Sequence, residues 1–234
     1  MARMSDVILA CALGATGAGA WALELPAPLG ARFVVPATSM KEARFLRTAH
    51  QQYDFSCGSA AVATLLSHHY GDPVTERLVF ERMYAAGDQQ KIRREGFSLL
   101  DIKRFLEARG LHADGFELPL QKLVDGELPA IVLLSENGYH HFVVVKGVLG
   151  ARVLIGDPAG GTRAIARASF DAMWRSKLLF VIHGRAGPTD RPAMAARFND
   201  ARDWAVAPAA PLTTAIGRSG LDLVTVPKNA RGDF

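Results

Sequence analysis

Residues 50–70 read HQQYDFSCGSAAVATLLSHHY, and the change of character at Cys57 decides how the chain is read. Up to Ser56 the stretch is polar and aromatic. From Cys57 it turns Ala- and Leu-rich, with Ala61, Leu65 and Leu66 at helical spacing, and it stops at Gly71-Asp72-Pro73. The reading is a loop that runs into a buried helix whose first residue is a cysteine. A thiol at that place meets the positive end of the helix dipole and unpaired backbone N–H groups, which favour the thiolate. The small residues at 58–61 keep the helix start open to a substrate and let the helix pack closely.

Downstream, Asp72 with Pro73 reads as an N-cap and first-turn proline for a helix over 74–86 that Gly87 ends. Ser98 and Asp101 form a capping-box signal, and Leu99, Ile102, Phe105 and Leu106 supply one apolar face before Gly110. Then the period changes. Segments 130–134, 142–148, 153–155 and 178–182 are short apolar runs bounded by Gly and Pro, with Leu149-Gly150 as a hairpin turn and a short helix at 169–174. Helices followed by a mostly antiparallel sheet make an α+β order, not the alternation of a doubly wound fold.

A cysteine nucleophile needs a base brought in by another segment. Of seven histidines, His141 heads the strand HFVVVKG at a sheet mouth, so it is the candidate; its neighbour His140 points the other way. His68 and His69 stand at a helix C-terminus and read as structural. Asp157 ends the strand VLIGDP one hairpin later, and a turn at 149–150 sets 142–143 roughly opposite 156–157, within reach of His141. Gln51 or Gln52, ahead of Cys57, can fold back to offer an amide donor to an oxyanion. The order Gln, Cys, His, Asp is the papain-like one.

Composition excludes several classes. The chain has 234 residues, 49% of them hydrophobic and 21% charged, enough for one core with appendages. The net charge is +4 with no run of basic residues, so nucleic acid is not an expected partner. No H-E-x-x-H or similar spacing argues for a metal, Gly160-Gly161 is a turn and not a phosphate cradle, and no cofactor or ATP-binding motif stands out.

Residues 1–22 read as a cleaved secretory signal peptide, with Arg3, an apolar stretch and small residues near Ala20 and Ala22. An uncleaved anchor is weaker because Gly14, Gly17 and Gly19 interrupt it, and acylation at Cys11 is weaker still because the apolar stretch runs past it. Cleavage leaves Cys57 as the one cysteine of an exported, periplasmic chain. Residues 23–47 are a lead-in linker with a short strand near Phe33-Val34-Val35, 48–186 the domain, and 187–234 an Ala/Pro-rich tail. Met194, Phe198 and Trp204 in that tail fit a helix packed on the domain.

The stretch QQYDFSCGSAA at 51–61, HFVVV from His141 and GDPAGG from Gly156 together resemble peptidase family C39, papain-like cysteine peptidases that cut double-glycine leaders from bacteriocin precursors. The resemblance implies a papain-like fold, Cys57 as nucleophile, His141 as base, Asp157 as its orienter, and Gln51, six residues before the cysteine, as the oxyanion residue. It also implies a peptide or protein substrate cut after small residues at a Gly-Gly-like site. Ser56 departs from the Asp usual before the family's cysteine. Without a transmembrane bundle or phosphate loop, and behind a signal peptide, the chain is similar to the stand-alone exported branch of functional-amyloid (Fap) secretion systems, which makes a secretion channel a partner to test. Two alternatives stay open: a peptide-binding module without activity, and a cell-wall amidase or transpeptidase of the same chemistry.

Overall fold

The structure, a computed structural model, describes residues 22–26, 32–36, 38–136, 138–185 and 197–207. Nearly all of the signal-like segment lies outside the described residues, as does the tail apart from 197–207, Met194 included. The chain divides into two units at Ser39 and Met40. In the first, β1 (Ala22–Pro26) and β2 (Arg32–Pro36) pair antiparallel with Leu25 opposite Phe33, so the strand read near Phe33 has a partner where a linker was expected.

The second unit opens with α1 (Met40–Phe45) and then α2 (Cys57–Thr64), all of whose residues are buried. Gly58 makes the close packing of α2 possible, since a Cβ there would sit 3.0 Å from Phe97 Cβ. The α-helix expected to run on to Tyr70 instead widens into a π-helical turn over Leu65–His69, where the Tyr70 N–H donates to the Leu65 carbonyl at 3.2 Å. The next helix, α3 (Glu76–Ala86), starts later than the Asp72-Pro73 signal suggests. Its cap is Thr75, which accepts from the Leu78 N–H, because Arg109 claims both Asp72 oxygens at 2.8 and 2.7 Å.

A short helix that the sequence reading passed over, α4 (Gln89–Glu95), is capped by Asp88 and ended by Gly96 at φ 79°. The expected capping box opens α5 (Leu99–Ala108): Ser98 Oγ accepts from the Asp101 N–H, and Asp101 Oδ2 accepts from the Ser98 N–H at 2.8 Å.

The sheet follows: β3 (Leu111–Glu117), β4 (Ala130–Glu136), β5 (Tyr139–Leu149), β6 (Arg152–Asp157), β7 (Gly161–Ala166) and β8 (Leu178–Arg185). The spatial order is β3-β8-β4-β5-β6-β7 and every neighbouring pair is antiparallel. The edge strands β3 and β7 were not anticipated, since Asp114 and Gly115 interrupt one and Gly161 opens the other. Two further helices, α6 (Gln121–Gly126) and α7 (Arg167–Met173), flank the sheet.

Two apolar clusters hold it. Phe142, Val144, Phe180 and Ile182 join one with residues of α2, α3 and α5, whereas Val143, Val145, Val153 and Ile155 join another with Leu123, Phe170 and Trp174. With both faces covered, β5 reads as an unbroken apolar run and not as an alternation. This is the α+β architecture expected from the sequence.

Residues 197–207, which include α8 (Ala201–Val206), pack on this domain. The Asn199 N–H donates to the Lys146 carbonyl at 2.9 Å and Asn199 Oδ1 accepts from the Val148 N–H at 2.8 Å, at a bulge in β5 between Val145 and Gly147. Gly147 is required there, because a Cβ would meet Asn199 Oδ1 at 2.2 Å. The Lys146 ammonium and the Asp203 carboxylate, both fully buried, are 2.6 Å apart.

Candidate active site

The first residue of α2, the start of β5 and the end of β6 bring Cys57, His141 and Asp157 together. The hairpin that does this has its turn at Gly150 (φ 57°). Val144 lies opposite Gly156, one step from the register read in the sequence: Leu149 pairs with Arg152, so the loop is Gly150-Ala151, one residue later than read, which moves the pairing two steps, and the bulge at Lys146 takes one step back. The shift does not separate the pair: His141 Nε2 lies 2.8 Å from Asp157 Oδ1.

Asp157 is nearly buried and fully engaged. Its Oδ1 also accepts from the Ala159 and Gly160 N–H groups at 2.9 and 3.1 Å, and its Oδ2 from Arg163 at 2.8 Å. Burial pushes its pKa up, but the His141 hydrogen bond and charge, the Ala159 N–H and Arg163 outweigh that and hold it well below the usual carboxylate range. Gly161 closes the loop at φ 77°, where a Cβ would stand 2.5 Å from that of Arg44.

His141 is raised to about 9: burial pulls it down, and the hydrogen bonds and charges of Asp157 and Cys57 more than reverse this. With Nε2 on Asp157, the other ring nitrogen, Nδ1, is buried and free of any other hydrogen bond among the described residues. That leaves Nδ1 for the thiol, in the orientation a base needs. The sulfur-bearing residue is 7% exposed and the His141 side chain 12%, so little open space remains beside them.

Gln51 is at the site but turned aside. Its backbone N–H donates to the Pro158 carbonyl at 3.1 Å, which ties the loop beside Asp157, while its side-chain Nε2 donates to the Tyr53 carbonyl at 3.2 Å and its buried Oε1 has no partner. Gln52 is exposed. Ser56, in the place of the usual Asp, clasps Tyr53: its Oγ accepts from the Tyr53 N–H at 3.1 Å and donates to the Tyr53 carbonyl at 3.0 Å.

Two residues at the site escaped the sequence reading. Tyr139 stacks on His141 with ring centroids 5.8 Å apart and donates its hydroxyl to the Asp54 carbonyl at 3.1 Å, linking β5 to the loop before α2. Its place two residues before His141 on one strand is a signal that could have found it. Arg163, on Asp157, had no such signal. Three other histidines are engaged elsewhere or face outward: His140 is exposed, His183 pairs with Asp114, and burial first, with Lys146 next, pushes His69 down to about 4. Among the described residues no His, Cys, Asp and Glu group is arranged to hold a metal ion.

The likeness to known proteins is extensive. The family described as "Peptidase C39 family" matches residues 46–185. The chain is 38% identical over 156 residues to the probable functional amyloid protease FapD of Pseudomonas aeruginosa, across 67% of this chain and 69% of that one. It is 36% identical to the protein of the same name from Pseudomonas fluorescens, across 79% of this chain and 80% of the relative. The crystal structure of the peptidase domain of Streptococcus ComA, a bi-functional ABC transporter involved in a quorum-sensing pathway, is 20% identical with a TM-score of 0.49, across 58% of this chain and 96% of that one. On the family match and the two FapD relatives, the chain belongs to the peptidase C39 family and is a cysteine peptidase.

Proposed function

We propose that the protein is an exported endopeptidase that cuts after small residues, at a Gly-Gly-like site, in a secreted or leader-bearing substrate, in support of a secretion or fibre-assembly system. The observation that carries the chemistry is the His141 imidazole held through Nε2 by Asp157 with its Nδ1 left to Cys57. The Cys57 thiolate attacks the scissile carbonyl carbon. The oxyanion falls to the backbone N–H groups at the start of α2 and to the Gln51 amide once it leaves the Tyr53 carbonyl. Imidazolium His141 then gives its proton to the leaving amine, a thioester remains on Cys57, and water activated by His141 hydrolyses it to the free acid and thiol.

Small residues are favoured by the confined space around Cys57 and His141, where Tyr139 spans from β5 to Asp54. Export rests on the signal-like residues 1–22, and the fibre-assembly setting on the relatives whose names carry "functional amyloid". The test is incubation of the chain lacking residues 1–22 with a Gly-Gly peptide and with the same peptide carrying Val-Val. Cleavage of the first and not the second is expected. Binding of both without cleavage would return the reading to a peptide-binding module.

Asp157→Asn should lower kcat by about 10²-fold. Its alkaline limb should also move down from about 9, because burial then dominates the His141 pKa. The His141–Asp157 pair stabilises the fold fully below 6.5, the unfolded value, and loses this as pH rises through about 9. The variant's melting temperature should therefore differ from wild type most at about pH 5–6, less at pH 8, and least well above 9. An unshifted alkaline limb would remove Asp157 from this role.

A further inference from the structure

Two residues beyond Cys57, Ser59 meets a carboxyl group that takes no part in the chemistry proposed above. Glu76, the first residue of α3, is 7% exposed, and its Oε1 lies 2.7 Å from Ser59 Oγ on α2. Ser59 Oγ is also 2.8 Å from the Ser56 carbonyl. Its other carboxyl oxygen, Oε2, is buried with no hydrogen-bond partner among the described residues.

A serine hydroxyl has one proton and cannot donate both ways. If Glu76 were ionised, Ser59 would have to turn from the Ser56 carbonyl, and a charged carboxylate would be buried with one oxygen bare, which is costly. A neutral Glu76 resolves both. Its O–H donates to Ser59 Oγ, Ser59 donates to the Ser56 carbonyl, and the bare atom is only a carbonyl oxygen. Burial raises the Glu76 pKa against the opposing pull of Ser59, Ser56 and His50, the titratable side chain acting on it, in agreement with this proton count.

The Ser56 carbonyl and the Cys57 N–H belong to one planar peptide unit, so fixing one end aims the other. The Cys57 N–H stands at the open first turn of α2, where the proposed oxyanion forms. We propose that Glu76, held as a neutral carboxylic acid, is a positioning residue that locks the Ser56–Cys57 peptide through Ser59 and so aims the Cys57 N–H at the reacting carbonyl. This inference rests on the peptidase reading of the site.

Removing an oxyanion donor costs about 10²–10³ in kcat, and a donor left in place but no longer aimed costs less. Glu76→Ala should therefore lower kcat by about 10-fold with KM unchanged, Ser59→Ala should do the same, and the double variant should lose no more than either single one. Glu76→Gln, whose amide can donate to Ser59 as the acid does, should recover most of the rate. Infrared difference spectra of wild type and Glu76→Gln should show the carbonyl band of a protonated carboxylic acid at neutral pH in wild type alone. An ionised carboxylate in that spectrum overturns the proposal even if Glu76→Ala fails to fold. So does a Glu76→Ala enzyme that folds with unchanged kcat, or a double variant whose losses add. A wild type that cuts no peptide defeats the peptidase reading instead, while the spectrum still reports the state of Glu76.

Discussion

Cys57→Ala should abolish peptide cleavage, lowering kcat by about 10⁴-fold or more, while leaving the fold and peptide binding in place. In the proposed reaction the attack on the scissile carbonyl falls to the Cys57 sulfur. Cys57 is the cysteine at the start of α2, and the His141 Nδ1 meets no other acceptor or donor among the described residues. Folding should survive because α2 and the π-helical turn after it are held by Ala60 through Leu66, each at most 1% exposed, and not by the sulfur. Removing one sulfur from this packing should change stability by about 1 kcal/mol. The comparison to make is kcat for the purified pair on one Gly-Gly peptide, with melting temperatures measured alongside. A Cys57→Ala protein that cuts at a tenth of the wild-type rate would place the nucleophile elsewhere.

The largest loss of stability should come from a residue outside the site and outside the matched family region. Asp203→Ala should destabilise the fold by about 3–5 kcal/mol, because it strands the Lys146 ammonium in the interior. Lys146 donates to Asp203 Oδ1 and to the Arg47 carbonyl at 2.6 and 2.7 Å, and Arg47 reaches Asp203 at 2.9 Å and Asp200 at 3.1 Å. Burial already pulls Lys146 down to about 8 in spite of Asp203. Without that carboxylate its folded pKa falls further below the unfolded value of 10.5, so the unfolded state binds more protons and the variant should regain stability as pH rises. A double variant, Lys146→Met with Asp203→Leu, should recover most of the loss, since no unpaired charge then remains. Urea unfolding at two pH values reads all of this. If Asp203→Ala costs under 1 kcal/mol, α8 is not holding the domain together.

What could be read from the sequence was local. The helix start at Cys57 was visible as a change in composition, the capping box as Ser98 with Asp101, and the α+β order as a change of period near residue 110. His141 and Asp157 were legible because a single tight turn joins their strands, and even there the register came out one step off. That step is the remainder of two shifts: the loop turns at Gly150-Ala151, one residue later than read, and the bulge at Lys146, stitched to the non-local partner Asn199 that no pattern in HFVVVKG announces, takes back half of the displacement. The Asp72 cap misread has a non-local origin, for Arg109 at the far end of α5 takes the carboxylate. Glu76, Arg163 and Asp203 stand in no pattern that the sequence reading used, and only packing reveals that each is turned inward or onto the site. Gln51 was placed on the right loop, but the direction of its amide depends on the Tyr53 carbonyl, which spacing alone does not give.

Cleavage by this chemistry passes through an acylated Cys57. The acyl-enzyme is caught by mixing the protein with excess Gly-Gly peptide, quenching in acid within the first turnovers, and weighing the protein and its digest by mass spectrometry. An adduct with the mass of the peptide segment upstream of the cut, minus water, is expected on the fragment that contains Cys57, and no adduct in Cys57→Ala. Cleavage with the adduct on another residue, or fast product formation from Cys57→Ala, would contradict it.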